Sequence, residues 1–222
     1  MKPIIALSCR DREVNNTEAY YCQQSYMNAL EAVNANYIAV VPTKEHNYDY
    51  IANMCDGLVL CGGADMDAKY FNEENHESVG LVKECIDLQD LNLIEAFLKA
   101  KKPILGIGLG SELIALAYDV KVNKMKCGHH GSNYPVKNIK NGKVEITSQN
   151  YSYSFDDESL EKSNLVITRV NVITQEVEGI YDPNCGVMGI QYEPNTPINE
   201  DSEDIIKDFV EKMGKLGGKR YA

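Results

Sequence analysis

The chain is short of positive charge. Its 22 Lys and Arg face 33 Asp and Glu, a formal net charge of −11 with a pI near 4.9. Such a balance repels phosphate at long range, so neither nucleic acid nor an anionic membrane is expected as a partner. Long apolar runs are missing too: no stretch approaches the roughly 18 consecutive residues a spanning helix needs. The opening Met1-Lys2-Pro3-Ile4-Ile5-Ala6-Leu7 reads as a buried first strand rather than a targeting segment, and a cytoplasmic location is the expectation. None of the seven cysteines (9, 22, 55, 61, 85, 127, 185) forms a Cys-x-x-Cys pair, and their number is odd. Neither a zinc site nor a disulfide framework is indicated. Cys9, Cys55 and Cys61 lie in apolar surroundings, where free Cys behaves as a small hydrophobe in a reducing compartment. Linkers, repeats and low-complexity segments are absent as well, so a single domain over residues 1–222 is expected.

What is present is an alternation of short apolar strands and amphipathic helices. Strand Ile4–Ser8 leads through a polar loop, Arg10–Thr17, to a helix near Ala19–Val33. Strand Tyr37–Val41, a short helix near Tyr48–Met54 and strand Gly57–Leu60 follow. A helix near Ile86–Lys99 carries apolar residues at 88, 91, 94, 97 and 98, and strand 104–107 and helix 111–118 complete this half. Continuous apolar strands alternating with helices predict a parallel sheet covered on both faces. After Tyr118 the pattern becomes strands: Val120–Met125, Val136–Ile139, Lys143–Thr147, Val166–Val170, Val177–Tyr181 and Val187–Gln191. Asn141-Gly142 and Asp182-Pro183-Asn184 mark the turns of antiparallel additions. A last helix, Ser202–Lys215, has apolar residues at 205, 206, 209, 210 and 213 on one face. The expected architecture is a flavodoxin-like three-layer α/β sandwich, its central sheet mostly parallel with antiparallel strands in the C-terminal half.

Two glycine turns fall at strand ends, where open parallel sheets build their sites. Gly62-Gly63-Ala64-Asp65 closes the third strand and offers backbone N–H groups to an oxyanion. Gly106-Ile107-Gly108-Leu109-Gly110 joins an apolar strand to a helix in the manner of a nucleophile elbow. The residue at its apex, Gly108, has no side chain.

These stretches carry a resemblance. Asp56-Gly57-Leu58-Val59-Leu60-Cys61-Gly62-Gly63-Ala64-Asp65-Met66-Asp67, followed by Lys102-Pro103-Ile104-Leu105-Gly106-Ile107, resembles the class I glutamine amidotransferase superfamily. Lys2-Pro3-Ile4-Ile5 and Tyr26-Met27-Asn28-Ala29-Leu30-Glu31-Ala32 look most like its γ-glutamyl-γ-aminobutyrate hydrolase branch, peptidase family C26. The stretch Lys124–Val136, with Gly128-His129-His130-Gly131, and Ile146-Thr147-Ser148-Gln149-Asn150 are similar instead to the amidotransferase subunit of carbamoyl phosphate synthetase.

The resemblance implies a triad: a Cys in Gly-Ile-Cys-x-Gly, and a His and a Glu from a later Gly-Val-Gln-x-His-Pro-Glu. The thiolate attacks a γ-carboxamide, the His carries the proton and the Glu orients the His. Here the later motif reads Gly189-Ile190-Gln191-Tyr192-Glu193-Pro194-Asn195. The three positions are therefore Gly108, Glu193 and Asn195, and the triad is degenerate. The ligand positions implied are Gly62, Gly63, Leu109, Gly110, Glu112, Gln149, Asn150, Tyr151 and Tyr192. Among them Ser111-Glu112 replaces His-Gln, and Tyr151-Ser152-Tyr153 replaces His-Gly-Phe. A carboxylate at Glu112 removes an amide donor and disfavours a ligand carboxylate. Ser111 reads as a helix-start residue, Cys61 as a buried strand-end residue, and His129 and His130 as structural residues of a turn. His129, His130 and Glu193 have no recognised metal-ligand spacing, so no metal or cofactor is expected.

The leading expectation is a pseudo-enzyme that binds a synthetase-type partner, a second copy of itself, or a small γ-glutamyl or other metabolite. The alternatives are an active γ-glutamyl hydrolase with a relocated nucleophile or an acid/base pair (Glu193 with Glu112 or Asp65), and a metabolite sensor.

Overall fold

A computed structural model describes residues 2–43, 47–63, 66–71, 82–194 and 205–216. In chain order the elements are β1 (Ile4–Ser8), β2 (Arg10–Val14), β3 (Thr17–Tyr21), α1 (Gln24–Ala32), β4 (Asn36–Val40), α2 (Tyr48–Met54) and β5 (Gly57–Leu60). They continue with α3 (Glu84–Lys99), β6 (Ile104–Ile107), α4 (Leu109–Ala117), β7 (Val122–Asn138) and β8 (Val144–Phe155). The remainder are α5 (Asp157–Lys162), β9 (Val166–Asn171), β10 (Val177–Asp182), β11 (Val187–Ile190) and α6 (Ile205–Leu216). Nine strands form one sheet in the order β4-β1-β5-β6-β11-β10-β9-β7-β8. The first five in that order run parallel, and the last four are added antiparallel from β11 outward.

Strand alternation splits the core between the two faces. Ala6, Leu58, Leu60 and Ile104 point to one face and pack with Ala52 of α2, Leu93 and Phe97 of α3, and Leu113 and Ile114 of α4. Ile5, Leu7, Val59, Leu105 and Ile107 point to the other and pack with Tyr26 and Leu30 of α1 and with Phe209 and Met213 of α6. Ile5–Ser8 of β1 and every residue of β5 and β6 are buried whichever way they point, which explains the unbroken apolar runs. This is the three-layer arrangement the sequence predicts. Among the described residues no helix is long and apolar enough to cross a membrane.

Several segments differ from the expectation, including the helix α5, which the sequence pattern does not predict. Arg10–Tyr21 is a hairpin of β2 and β3 rather than a loop running into a helix, and α1 begins only at Gln24. Its turn residues Asn15 and Asn16 both have positive φ, 52° and 59°, the backbone of a two-residue primed turn that asparagine tolerates. The Gly128-His129-His130-Gly131 stretch is not a turn: it lies within the 17-residue β7, whose pairing with β8 shifts register near it. The inward face of α3 is rotated from the apolar pattern: Leu88 is exposed, whereas Asp87 and Asp90 are buried. Those carboxylates have inward partners, Asp87 accepting from Asp67 N at 3.1 Å and Asp90 pairing with Arg10. The start predicted for the last helix, residues 202–204, lies outside the described residues, and 205, 206, 209, 210 and 213 are buried as the pattern requires.

Candidate active site

The elbow is built from backbone. β6 lies between β5 and β11, with Leu60 opposite Gly106 on one side and Ile190 opposite Ile107 on the other. At its end Gly108 adopts φ 55°, ψ −120°, a conformation only glycine takes without strain. Its N–H donates to Ile190 O at 2.8 Å, and its carbonyl accepts from Ser111 N at 2.8 Å as α4 begins. A β-carbon at Gly108 would have no neighbour nearer than Gly62 Cα at 3.8 Å and Gln191 O at 3.9 Å. The apex therefore has room for a side chain and carries none.

The second glycine turn stands beside the first and rests on a buried ion pair. Arg10, at the start of β2, sends its guanidinium beneath Gly62-Gly63. Nε donates to Gly62 O at 3.2 Å, Nη2 donates to Cys61 O, and Nη1 meets Asp90 Oδ2 at 2.7 Å. Both charged groups are almost wholly buried. Burial pushes the Asp90 carboxyl up, and Arg10 pulls it back. A β-carbon at Gly63 would fall 2.6 Å from Arg10 Nε, so this support depends on the glycine. Sequence reasoning misses the pair, because Arg10 and Asp90 sit in a misread loop and on a misassigned helix face.

Glu193 comes to the same place. Its N–H donates to Ser148 O at 3.2 Å, an isolated bridge that holds the segment after β11 against β8. Its Oε2 accepts from Tyr26 Oη of α1 at 2.8 Å, and its Oε1 lies 3.1 Å from where a β-carbon of Gly62 would stand. Burial pushes the Glu193 carboxyl up, and the Tyr26 hydroxyl pulls it back in part. The structure thus gathers Gly62, Gly108 and Glu193 around one point, with Tyr26 as a contributor the motif comparison overlooks. Asp65 and Asn195 lie outside the described residues.

The remaining predicted positions divide. Leu109, Gly110 and Glu112 are buried in the first turn of α4, and Tyr192 is buried beside Glu193. Gln149 and Tyr151 belong to a buried network centred on Glu178 of β10. Its Oε1 accepts from Tyr151 Oη at 2.7 Å, Gln149 Nε2 at 2.8 Å and Asn171 Nδ2 at 3.2 Å. Burial raises the Glu178 carboxyl, and these donors counter it. His129 Nδ1 joins the network, 2.7 Å from Gln149 Oε1 and 2.9 Å from Tyr151 Oη, which gives that histidine the structural role expected. Asn150 points the other way, is exposed, and pairs with His130 Nδ1 at 2.8 Å.

No substitute nucleophile stands at the apex among the described residues. Ser111 Oγ lies 2.7 Å from Gly108 O and 2.8 Å from Gln191 Oε1, and is fully buried. Cys61 is buried, and burial pushes its thiol up to about 12. No cluster of three His, Cys, Asp or Glu able to hold a metal occurs among the described residues.

Residues 20–213 match the family model for glutamine amidotransferase class-I. The carbamoyl phosphate synthase small chain of Aquifex aeolicus is 44% identical over 111 residues, which is 50% of this chain and 30% of that protein. Its counterpart from Buchnera aphidicola subsp. Baizongia pistaciae is 34% identical over 180 residues, 81% of this chain and 41% of that one. The chain spans less than half the length of these curated relatives. Among solved structures, a glutamine amidotransferase from Thermotoga maritima superposes with a TM-score of 0.64 at 14% identity, covering 97% of this chain and 98% of that one. The glutaminase domain of Trypanosoma brucei CTPS, with bound acivicin, gives 0.62 at 14% identity, covering 100% and 96%. Both likenesses speak to the fold.

Proposed function

The chain belongs to the class-I glutamine amidotransferase family, and we propose that within it this is a binding member, a single amidotransferase-like unit that holds a ligand without hydrolysing γ-glutamyl amides. One observation carries the reading: the elbow keeps its backbone conformation around a residue with no side chain, while a carboxylate, Glu193, stands in the pocket beside it. Covalent acyl transfer needs a nucleophile at the apex and a base that can cycle a proton to it. Ser111 and Cys61, the nearest hydroxyl and thiol on those turns, are buried in protein contacts. Loss of the nucleophile alone would have ended thiol chemistry. The further change to Glu193 alters what the pocket attracts.

That pocket is acidic. Glu193 contributes its carboxylate, while Arg10 is committed to Asp90 and to the carbonyls of the glycine turn. An amine-bearing metabolite satisfies Glu193, whereas a free carboxylate is repelled. The similarity to carbamoyl phosphate synthase small chains supports a synthetase-type chain as the protein partner.

Calorimetric titration with small amines, amino acids and amine-free carboxylates tests this. The expected result is saturable binding of an amine-bearing compound that is lost in Glu193→Gln. Binding of amine-free carboxylates that is unchanged in Glu193→Gln overturns it.

A further inference from the structure

Cys9 and Cys22 stand at the two feet of the β2–β3 hairpin. The register that sets Arg10 opposite Tyr21, carried one residue outward, sets Cys9 opposite Cys22, and their Sγ atoms are 3.1 Å apart. Directly opposed residues on antiparallel strands have β-carbons about 4.5–5.5 Å apart, close to the span a disulfide needs. The chain can join these sulfurs with a small local adjustment.

The two thiols are not equivalent. Cys9 is buried, and its backbone N–H is fixed to Val40 O of β4 at 3.0 Å. Cys22 is only half-buried, on the connection to α1. Their shared hydrogen bond pushes the Cys9 thiol up and pulls the Cys22 thiol down. Arg10 adds positive charge beside both. A partly exposed thiol backed by a buried partner thiol at contact distance is the arrangement that stops oxidation at a reversible disulfide.

We propose that Cys9 and Cys22 form a peroxide-reactive dithiol in which Cys22 attacks and Cys9 resolves. The Cys22 thiolate attacks one oxygen of hydrogen peroxide, the O–O bond breaks, and the hydroxide released takes a proton to become water. Cys22 is then a sulfenic acid. Cys9 Sγ attacks the Cys22 sulfur, the S–O bond breaks, and hydroxide leaves with the Cys9 proton as a second water. Two thiols are oxidised by two electrons in all, and one peroxide is reduced to two waters. Cys61, the third sulfur nearby, keeps its proton in the buried strand end and takes no part. The disulfide would tie the hairpin to the end of β1, one residue from the arginine that supports Gly62-Gly63.

The full chain carrying Cys85→Ser and Cys127→Ser, which removes the two exposed thiols, is treated with hydrogen peroxide, alkylated and peptide-mapped. The expected result is loss of two free thiols per chain, with the Cys9 peptide joined to the Cys22 peptide and both thiols recovered after dithiothreitol. In Cys9→Ser, Cys22 stops as the sulfenic acid and is captured by dimedone. Recovery of Cys9 and Cys22 as free thiols after other cysteines have oxidised overturns the proposal. So does joining of either to Cys61 or to a second chain. The map on the folded parent decides the matter even where Cys9→Ser fails to fold.

Discussion

Alanine at Gly108 and at Gly110 separates conformational strain from collision. At Gly108 the added β-carbon meets nothing nearer than 3.8 Å, so the penalty is that of holding an L-residue at φ 55°, ψ −120°. Such strain costs about 1–3 kcal/mol. In a chain of this length each kcal/mol moves the melting temperature by about 2–4 °C, so Gly108→Ala is expected to melt roughly 2–12 °C below the parent. At Gly110 the β-carbon would lie 2.6 Å from Leu60 O and 2.8 Å from Leu60 Cβ. The collision is with the β5 backbone, which cannot swing away as a side chain does, so α4 must lift from the sheet. That loss is expected to exceed the Gly108 penalty, at about 3 kcal/mol or more. Urea titrations of both variants, fitted with m-values to confirm a shared unfolding mode, measure the difference. Gly108→Ala as stable as the parent, or less stable than Gly110→Ala, refutes the elbow geometry.

Asp90→Ala strands the Arg10 guanidinium in a buried site and is expected to cost about 3–5 kcal/mol in urea unfolding. The double variant Arg10→Met/Asp90→Leu should recover much of that loss, and a double variant as unstable as the single one contradicts the pairing. Glu193→Gln bears on pH. Because folding raises the Glu193 carboxyl above its ordinary 4.5, the ionised form opposes folding at high pH, and that opposition disappears as pH falls from the raised value through 4.5. The amide variant should therefore gain stability over the parent at neutral pH, and the gain should vanish in acid. A thermal-unfolding difference independent of pH would count against it. Tyr26→Phe removes the 2.8 Å donor to Glu193 and should lower stability at neutral pH by about 1–3 kcal/mol, whereas an unchanged melting temperature speaks against that bond.

The parallel half of the fold is legible because its central strands, buried on both faces, read as unbroken apolar runs, as in Gly57–Leu60 and Ile104–Ile107. The hairpin is not, since β2 and β3 are polar, largely exposed strands with little apolar alternation. Its signal lay in the Asn15-Asn16 pair, which a primed turn suits. In α3 the charges at Asp87 and Asp90 argued for an outward face that distant partners reverse. The site followed the same division. Motif spacing located Gly62, Gly108 and Glu193, because strand ends and local turns place them. It passed over Tyr26 and Arg10, which reach the site by tertiary contacts across 167 and 52 residues of sequence. For the same reason it does not show that the side chains of Gln149 and Tyr151 donate to the buried Glu178.

The proposed lack of γ-glutamyl hydrolysis rests on Gly108, which offers no side chain at the apex of the elbow. Incubating the purified protein with glutamine, and separately with γ-glutamyl-γ-aminobutyrate, while following ammonia and glutamate tests it most directly. The expected result is no release above a protein-free control. Sustained turnover by the parent that disappears in Glu193→Gln contradicts it.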